Sequence, residues 1–242
     1  LPAFFACNVA FVKPDPILNA RPPGIPILII SSVFMFLSYF GSNLNAQVTV
    51  GGELYSRYVW RGTDFGSSAS FQPAFDYTSG PISVGAWAAY SLTADGASAD
   101  ESDLYATVAL GPASITITDY YFPMTEGDGG MFFNFDDGGA HYIEAAVSAE
   151  VGPASILLTS FIHNDDTLYG EVGFPVGDLS FFVGASLNDG GMYGTTEAGL
   201  VSVGFSGGKE IPISSEFSLP IGVTYVLNPT AEKTWLILSM SF

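Results

Sequence analysis

The chain has 242 residues, of which 48% are hydrophobic and only 12% charged, and its 6 basic residues face 24 acidic ones for a formal net charge of −18. That balance excludes nucleic acid as a partner, because phosphate neutralisation needs Lys and Arg, and the charged fraction is about half that of an ordinary soluble domain. A single cysteine, Cys7, excludes a disulfide framework within the chain and a multi-thiolate metal site.

Residues 25–40, IPILIISSVFMFLSYF, form a mostly apolar run preceded by Lys13 and Arg21 and followed by GSNLNA. A basic lead, a short apolar core and a small residue at the break describe a secretory signal peptide cut between Ala46 and Gln47. The run is short for a membrane-crossing helix, which needs about 20 apolar residues, and it contains Pro26 and three serines. The expected organisation is therefore an N-terminal extension and signal peptide over residues 1–46 and one domain over residues 47–242. Without Lys13, Arg21 and Asp15, that domain keeps 4 basic and 23 acidic residues.

The domain begins with QVTVGGELYSRYVWRG at residues 47–62. Val48, Val50, Leu54, Tyr58 and Trp60 alternate with Thr49, Glu53, Tyr55, Arg57 and Arg61, the period-two pattern of a strand with two unlike faces. Two of the three arginines in the chain, Arg57 and Arg61, share a face with Glu53. Successive steps of four residues along a strand are about 13 Å, so the stretch predicts a spaced ladder of charge.

Alternation then recurs. Residues 70–78 set Phe71, Phe75 and Tyr77 against Gln72, Asp76 and Thr78, and residues 82–92 set Ile82, Val84, Tyr90 and Leu92 against Ser83, Gly85 and Ser91. Further strands are expected at 101–110, 113–122, 141–151, 154–163, 167–174, 179–188, 196–206, 217–227 and 233–242, making twelve with the first. No segment carries a helical period long enough for a helix, so the class is all-β. Three strands alternate less cleanly: 113–122 places Asp119 with the apolar face, 196–206 does the same with Glu197, and 154–163 is apolar on both faces for part of its length.

The connections fall into two kinds. SGPIS, GPAS, GPAS and VGDLS are short and carry tight-turn residues. TDFGSS, TADGASADES, PMTEGDGGMFFNFDDGG, NDD and NDGGMYGT are longer, polar and mostly acidic. Short turns on one rim, long loops on the other and about ten-residue alternating strands between them describe an antiparallel transmembrane β-barrel of the bacterial outer membrane, with the short turns on the periplasmic side. The chain ends in TWLILSMSF, an amphipathic strand closing on Phe242, where soluble proteins usually fray into polar residues. Such an ending resembles the C-terminal signal through which outer-membrane proteins engage the barrel-assembly machinery.

In this reading the apolar faces meet outer-membrane lipid, aromatics near strand ends (Tyr58, Trp60, Tyr77, Tyr90, Phe122, Phe174, Tyr225) form interfacial girdles, and the polar faces line the lumen. The expected lumen residues are Glu53, Arg57, Arg61, Asp76, Glu144 and Glu171, with Asp103 and Glu150. They form either the lining of a pore or an ion network that plugs it. Twelve strands lie between an eight-strand barrel filled by side chains and a sixteen-strand porin with an aqueous channel.

SRYVWRGTDFG followed by QPAFDYTSGPISVGAWAAY is similar to the start of the TorF-type porins, also described as the Gcw_chp conserved hypothetical proteins, and ITDYYFP, AHYIEAAVSAE and NPTAEKTWLILSMSF are similar to that family in kind and order. The resemblance spans residues 47–242 and implies a small outer-membrane barrel with no catalytic residues. The leading expectation is thus a porin-like channel for passive passage of small solutes or ions. The alternative is a closed structural or adhesive barrel whose acidic loops bind a partner. An enzyme is not expected, since the two histidines, His141 on the lipid-facing phase and His163 at a strand end, have no evident partner serine; nor is a cofactor or metal.

Overall fold

The computed structural model describes residues 46–93, 100–123 and 127–242. The expected signal peptide and Cys7 lie outside the described residues, apart from Ala46, which opens the first strand.

Twelve antiparallel strands close into one barrel, as alternation and turn spacing predict. In chain order the strands are β1 (Ala46–Tyr55), β2 (Val59–Trp60), β3 (Thr63–Asp64), β4 (Ser70–Ser79), β5 (Ile82–Ser91), β6 (Glu101–Leu110), β7 (Ala113–Tyr121), β8 (His141–Val151), β9 (Ala154–His163), β10 (Leu168–Val176), β11 (Leu179–Ser186), β12 (Gly199–Pro212), β13 (Ser218–Asn228) and β14 (Lys233–Ser241). Eleven barrel pairings follow from sequence neighbours, counting β1 with β4, and β1 with β14 closes the ring; β2 and β3 pair only with each other. The expected strand at 196–206 is displaced: β12 starts at Gly199 and runs on to Pro212, because its pairing with β13 continues through Pro212 opposite Ser218. Glu197 therefore lies in a loop, and the outward acid expected there does not occur.

Four of the short turns place a glycine with positive φ first (Gly80, Gly111, Gly152, Gly177), followed by Pro81, Pro112, Pro153 or Asp178. Two-residue hairpin turns need a left-handed backbone there, which lacks a steric penalty only for glycine. These turns and both ends of the described chain share one rim; the longer connections lie at the other.

Alternation sorts side chains as expected over most of the wall. Outward positions carry exposed apolar residues on strand after strand, among them Val50, Val84, Leu104, Ile117, Leu158 and Leu236. Inward positions carry Ser, Thr, Gly and acids, and hydroxyls pair across strands at Thr78–Ser83, Thr107–Thr116 and Ser114–Ser148, each 2.8 Å apart.

The seam between β1 and β14 is short. Glu53, Leu54 and Tyr55 face Ser241, Met240 and Ser239. Gly52 and Phe242 exchange both backbone hydrogen bonds, at 2.9 and 3.0 Å, and the Phe242 ring stacks on Phe71. The terminal aromatic thus belongs to the closure of the ring.

Candidate functional site

The interior is a cup. Inward residues near the short-turn rim, such as Ala109, Glu150, Ser155 and Pro175, are exposed; those farther up, such as Asp103, Glu144, Thr159 and Tyr169, are buried. The change comes from segment 56–69, which departs from the expectation of one continuous strand over residues 47–62. β1 stops at Tyr55. Ser56 is pinned to the seam, its N–H donating to the Leu238 carbonyl (2.8 Å) and its hydroxyl accepting from the Leu238 N–H (2.9 Å). The chain then turns off the wall and into the barrel.

Inside it forms the β2–β3 hairpin, with Val59 opposite Asp64 and Trp60 opposite Thr63. Its two central residues, Arg61 (φ 43°) and Gly62 (φ 79°), are both left-handed, the requirement of a type I′ turn. Glycine adopts this freely, but arginine rarely does, and such strain persists only where surrounding contacts enforce it. The contacts are present. A Cβ on Gly62 would stand 1.6 Å from the Val201 carbonyl oxygen, so the hairpin tip abuts β12, and the Asn228 side-chain amide donates to the Gly62 carbonyl (2.9 Å).

At the hairpin base, Arg57 makes a bidentate pair with Asp64, Nε and Nη2 lying 2.7 and 2.6 Å from the two carboxylate oxygens. The Asp64 hydrogen bond holds the Arg57 guanidinium above the usual arginine pKa. At the tip, Arg61 reaches Glu144 on β8, with Nη1 2.6 Å and Nη2 3.0 Å from its oxygens, and Nη1 also donates to the Tyr193 hydroxyl (2.8 Å). Tyr120 donates to the same carboxylate (3.0 Å). Burial is the largest influence on Arg61 and opposes its charge, yet the Glu144 carboxylate, Tyr193 and Tyr120 together outweigh burial and raise the pKa well above the ordinary value. The guanidinium also lies 3.9 Å over the Trp60 ring and 4.7 Å over Tyr169, contacts that stabilise a desolvated cation.

An aromatic cluster fills the space around these bonds. Tyr58 stacks on Phe65 and leans on Trp87, and Trp60 stacks on Tyr193 and meets the edge of Tyr120. The Tyr58 hydroxyl donates to Glu101 (2.8 Å). Met192 and Tyr193, from the connection between β11 and β12, complete the plug, held by the Met192 N–H donating to Asp165. The apolar inward residues of β9, Leu157 and Phe161, belong to the same cluster, which explains why that strand is apolar on both faces. Beneath Arg61 the space lined by Thr116, Thr118, Glu144, Ser148 and Leu157 is about 20 Å³, room for about one water.

The structure thus separates the six expected lumen residues. Arg61 and Glu144 meet at the centre. Glu53 sits at the seam, accepting from Tyr55 and Ser241. Asp76 accepts from Tyr105 (2.6 Å) and Glu171 from Tyr169. Arg57 is a half-exposed clamp on the hairpin and not a wall residue, so the expected ladder of Glu53, Arg57 and Arg61 along one strand does not exist. Tyr58, Trp60 and Phe122, expected in outward girdles, are buried; Tyr77, Tyr90 and Phe174 are exposed as a girdle would require. Sequence reading missed the plug residues Trp60, Phe65, Met192 and Tyr193. One signal was present: residues 47–62 exceed the roughly ten residues a barrel strand needs, and Arg-Gly sits at the surplus end.

Asp119 and His141 do share the outward phase, but they form a pair, Nδ1 lying 2.8 Å from the carboxylate, and His141 is fully covered. Among the described residues no group of three His, Cys, Asp or Glu side chains is arranged to hold a metal. No protein-family model matches the chain, and no curated protein matches it.

Proposed function

We propose that the chain is a bacterial outer-membrane barrel of porin-like type, closed at rest, which passes small solutes or ions when the β2–β3 hairpin leaves its seat. A closed antiparallel barrel leaves no strand edge in hydrocarbon and satisfies its backbone internally. Support for the membrane location comes from the outer surface, where exposed Val, Ile, Leu and Phe recur on strand after strand, far beyond the apolar patches of soluble monomers. The division into short-turn and long-loop rims supports the orientation, with the cup opening toward the periplasm. The expected export signal, assembly through the strand ending at Phe242, and membership of the TorF-type porins belong to the same reading. It contains no catalytic step.

The observation that carries the gated form is that the β2–β3 hairpin is one chain excursion whose deepest anchor is one ion pair, Arg61–Glu144, with Met192 and Tyr193 of the β11–β12 connection packed beside it. The wall below carries paired Ser and Thr hydroxyls, which offer hydrogen bonds to small polar solutes, together with inward acids such as Glu150. Planar-bilayer recording on refolded protein tests it. Rare brief openings in the wild type and frequent steps in Arg61→Ala are expected.

A second reading, a permanently closed structural or adhesive barrel, is favoured by the number of bonds tying the hairpin to the wall: Tyr58–Glu101, Arg61–Glu144 and Asn228–Gly62. Silence of both proteins in the bilayer, with heat-modifiable migration retained, selects this reading over the gated one.

A further inference from the structure

The connection between β7 and β8 behaves unlike the two that fold inward. Its segment Met131–Phe132–Phe133–Asn134–Phe135 folds down over the outer wall, onto Tyr121 and His141, which share the outward phase with Ile115, Ile117 and Asp119. The Phe132 carbonyl accepts from His141 Nε2 (2.7 Å), and Phe135 stacks on the His141 ring at 4.0 Å. Tyr121 donates to the Gly130 carbonyl (2.6 Å) and meets the edge of Phe132. Asp119 takes the other ring nitrogen of His141. One face of the segment is therefore fixed by a histidine with both nitrogens engaged.

The other face is open: among the described residues Phe133 meets only the edge of its neighbour Phe132 in a ring contact. Met131 is 60% and Phe133 73% exposed, and Phe132 and Phe135 remain over 40% exposed. By contrast, Trp60, Phe65, Met192 and Tyr193 in the inward-folded connections are buried. We propose that residues 131–135 are an interfacial anchor, seating Met131 and Phe133 in the outer leaflet of the membrane beside β7 and β8. This rests on the outer-membrane reading above.

Three features select lipid over a protein partner. The segment continues the exposed apolar band of Leu104, Ile115, Ile117 and Ile162 up to the long-loop rim. It carries no charge itself, and Asp136 and Asp137 follow where the chain returns to water. It also covers His141, which holds the Asp119 carboxylate, a polar pair on the outward phase of the wall, where ionisable groups facing hydrocarbon are strongly disfavoured. Aromatics at this level match the aromatic girdles that flank the apolar band of outer-membrane barrels.

The test uses the full chain carrying Cys7→Ser, with one environment-sensitive fluorophore attached through Phe133→Cys, Val147→Cys or Ala231→Cys, refolded into phosphatidylcholine vesicles with nitroxide-labelled lipids. Val147 is an outward mid-strand residue and Ala231 an exposed one at the long-loop rim. Position 133 is expected to be quenched at least half as strongly as 147, best by a nitroxide just below the headgroups, with 231 unquenched. Quenching at 147 without quenching at 133 overturns the anchor and leaves the membrane reading standing. A label at 133 that is shielded from water yet unquenched by lipid means a protein contact and also overturns it. Absence of quenching at both 133 and 147 removes the membrane reading itself. Adding His141→Ala is expected to reduce quenching at 133 at least twofold without changing 147; unchanged quenching at 133 overturns the pinning by His141.

Discussion

Arg61 and Glu144, 83 residues apart in the chain, meet across the barrel interior through two hydrogen bonds of 2.6 and 3.0 Å. Each is nearly inaccessible, with 6% and 2% of its side chain exposed. Removing one partner of a buried pair leaves the other charge without compensation, a loss of about 3–5 kcal/mol, whereas removing both is far milder. Arg61→Ala and Glu144→Ala are each expected to lower stability by that order, and the double variant by less than their sum. Chemical denaturation of the four proteins in a double-mutant cycle measures this. On the gated reading each single variant also raises open probability in the bilayer.

Gly62 tests the plug without touching charge. A Cβ there would collide with the Val201 carbonyl on a backbone with φ 79°, so neither rotation nor a side-chain shift relieves it. Gly62→Ala is expected to unseat the hairpin tip while the wall still forms. The readouts are a red shift of tryptophan emission as buried Trp60 meets water, together with retained heat-modifiable migration.

Arg57 shares its residue type and its phase in the sequence alternation with Arg61 but not its environment. Its pair with Asp64 is partly solvated, side-chain exposure being 34% and 20%, and such pairs contribute under about 1 kcal/mol. Arg57→Ala is expected to change the denaturation midpoint little and ion selectivity less than Arg61→Ala, read from reversal potentials under a salt gradient.

Deletion of Phe242 removes the two backbone bonds with Gly52 and the ring stacked on Phe71. Since few other pairs join β1 to β14, refolded yield in lipid is expected to fall several-fold. Phe242→Ala keeps the backbone bonds and is expected to lie between deletion and wild type. Gel migration with and without heating scores both.

Most of the wall was legible in the sequence, because most barrel strands alternate along their length and four of the short turns carry Gly followed by Pro or Asp. The plug was not. Residues 56–64 keep the same period-two alternation as β1, since a hairpin folded into the lumen is as extended as the wall it leaves. Alternation reports that a residue has a face; it does not report which surface the face meets. For the same reason Tyr58 and Trp60 read as outward aromatics. His141 shows the converse: its outward phase was read correctly, and its partner, Asp119 on the neighbouring strand, together with the carbonyl of Phe132, came only from the fold.

By itself the sequence determined an all-β chain of about twelve strands, two kinds of connection and a composition poor in positive charge, because these follow from local periodicity, turn chemistry and residue counts. Only the tertiary structure decided that, of the two arginines singled out by the sequence, Arg61 anchors a hairpin in the interior. That depends on the Val201 carbonyl, the Asn228 amide and the Glu144 carboxylate arriving from strands far along the chain to hold Arg61 and Gly62 in a turn that local propensity alone does not favour.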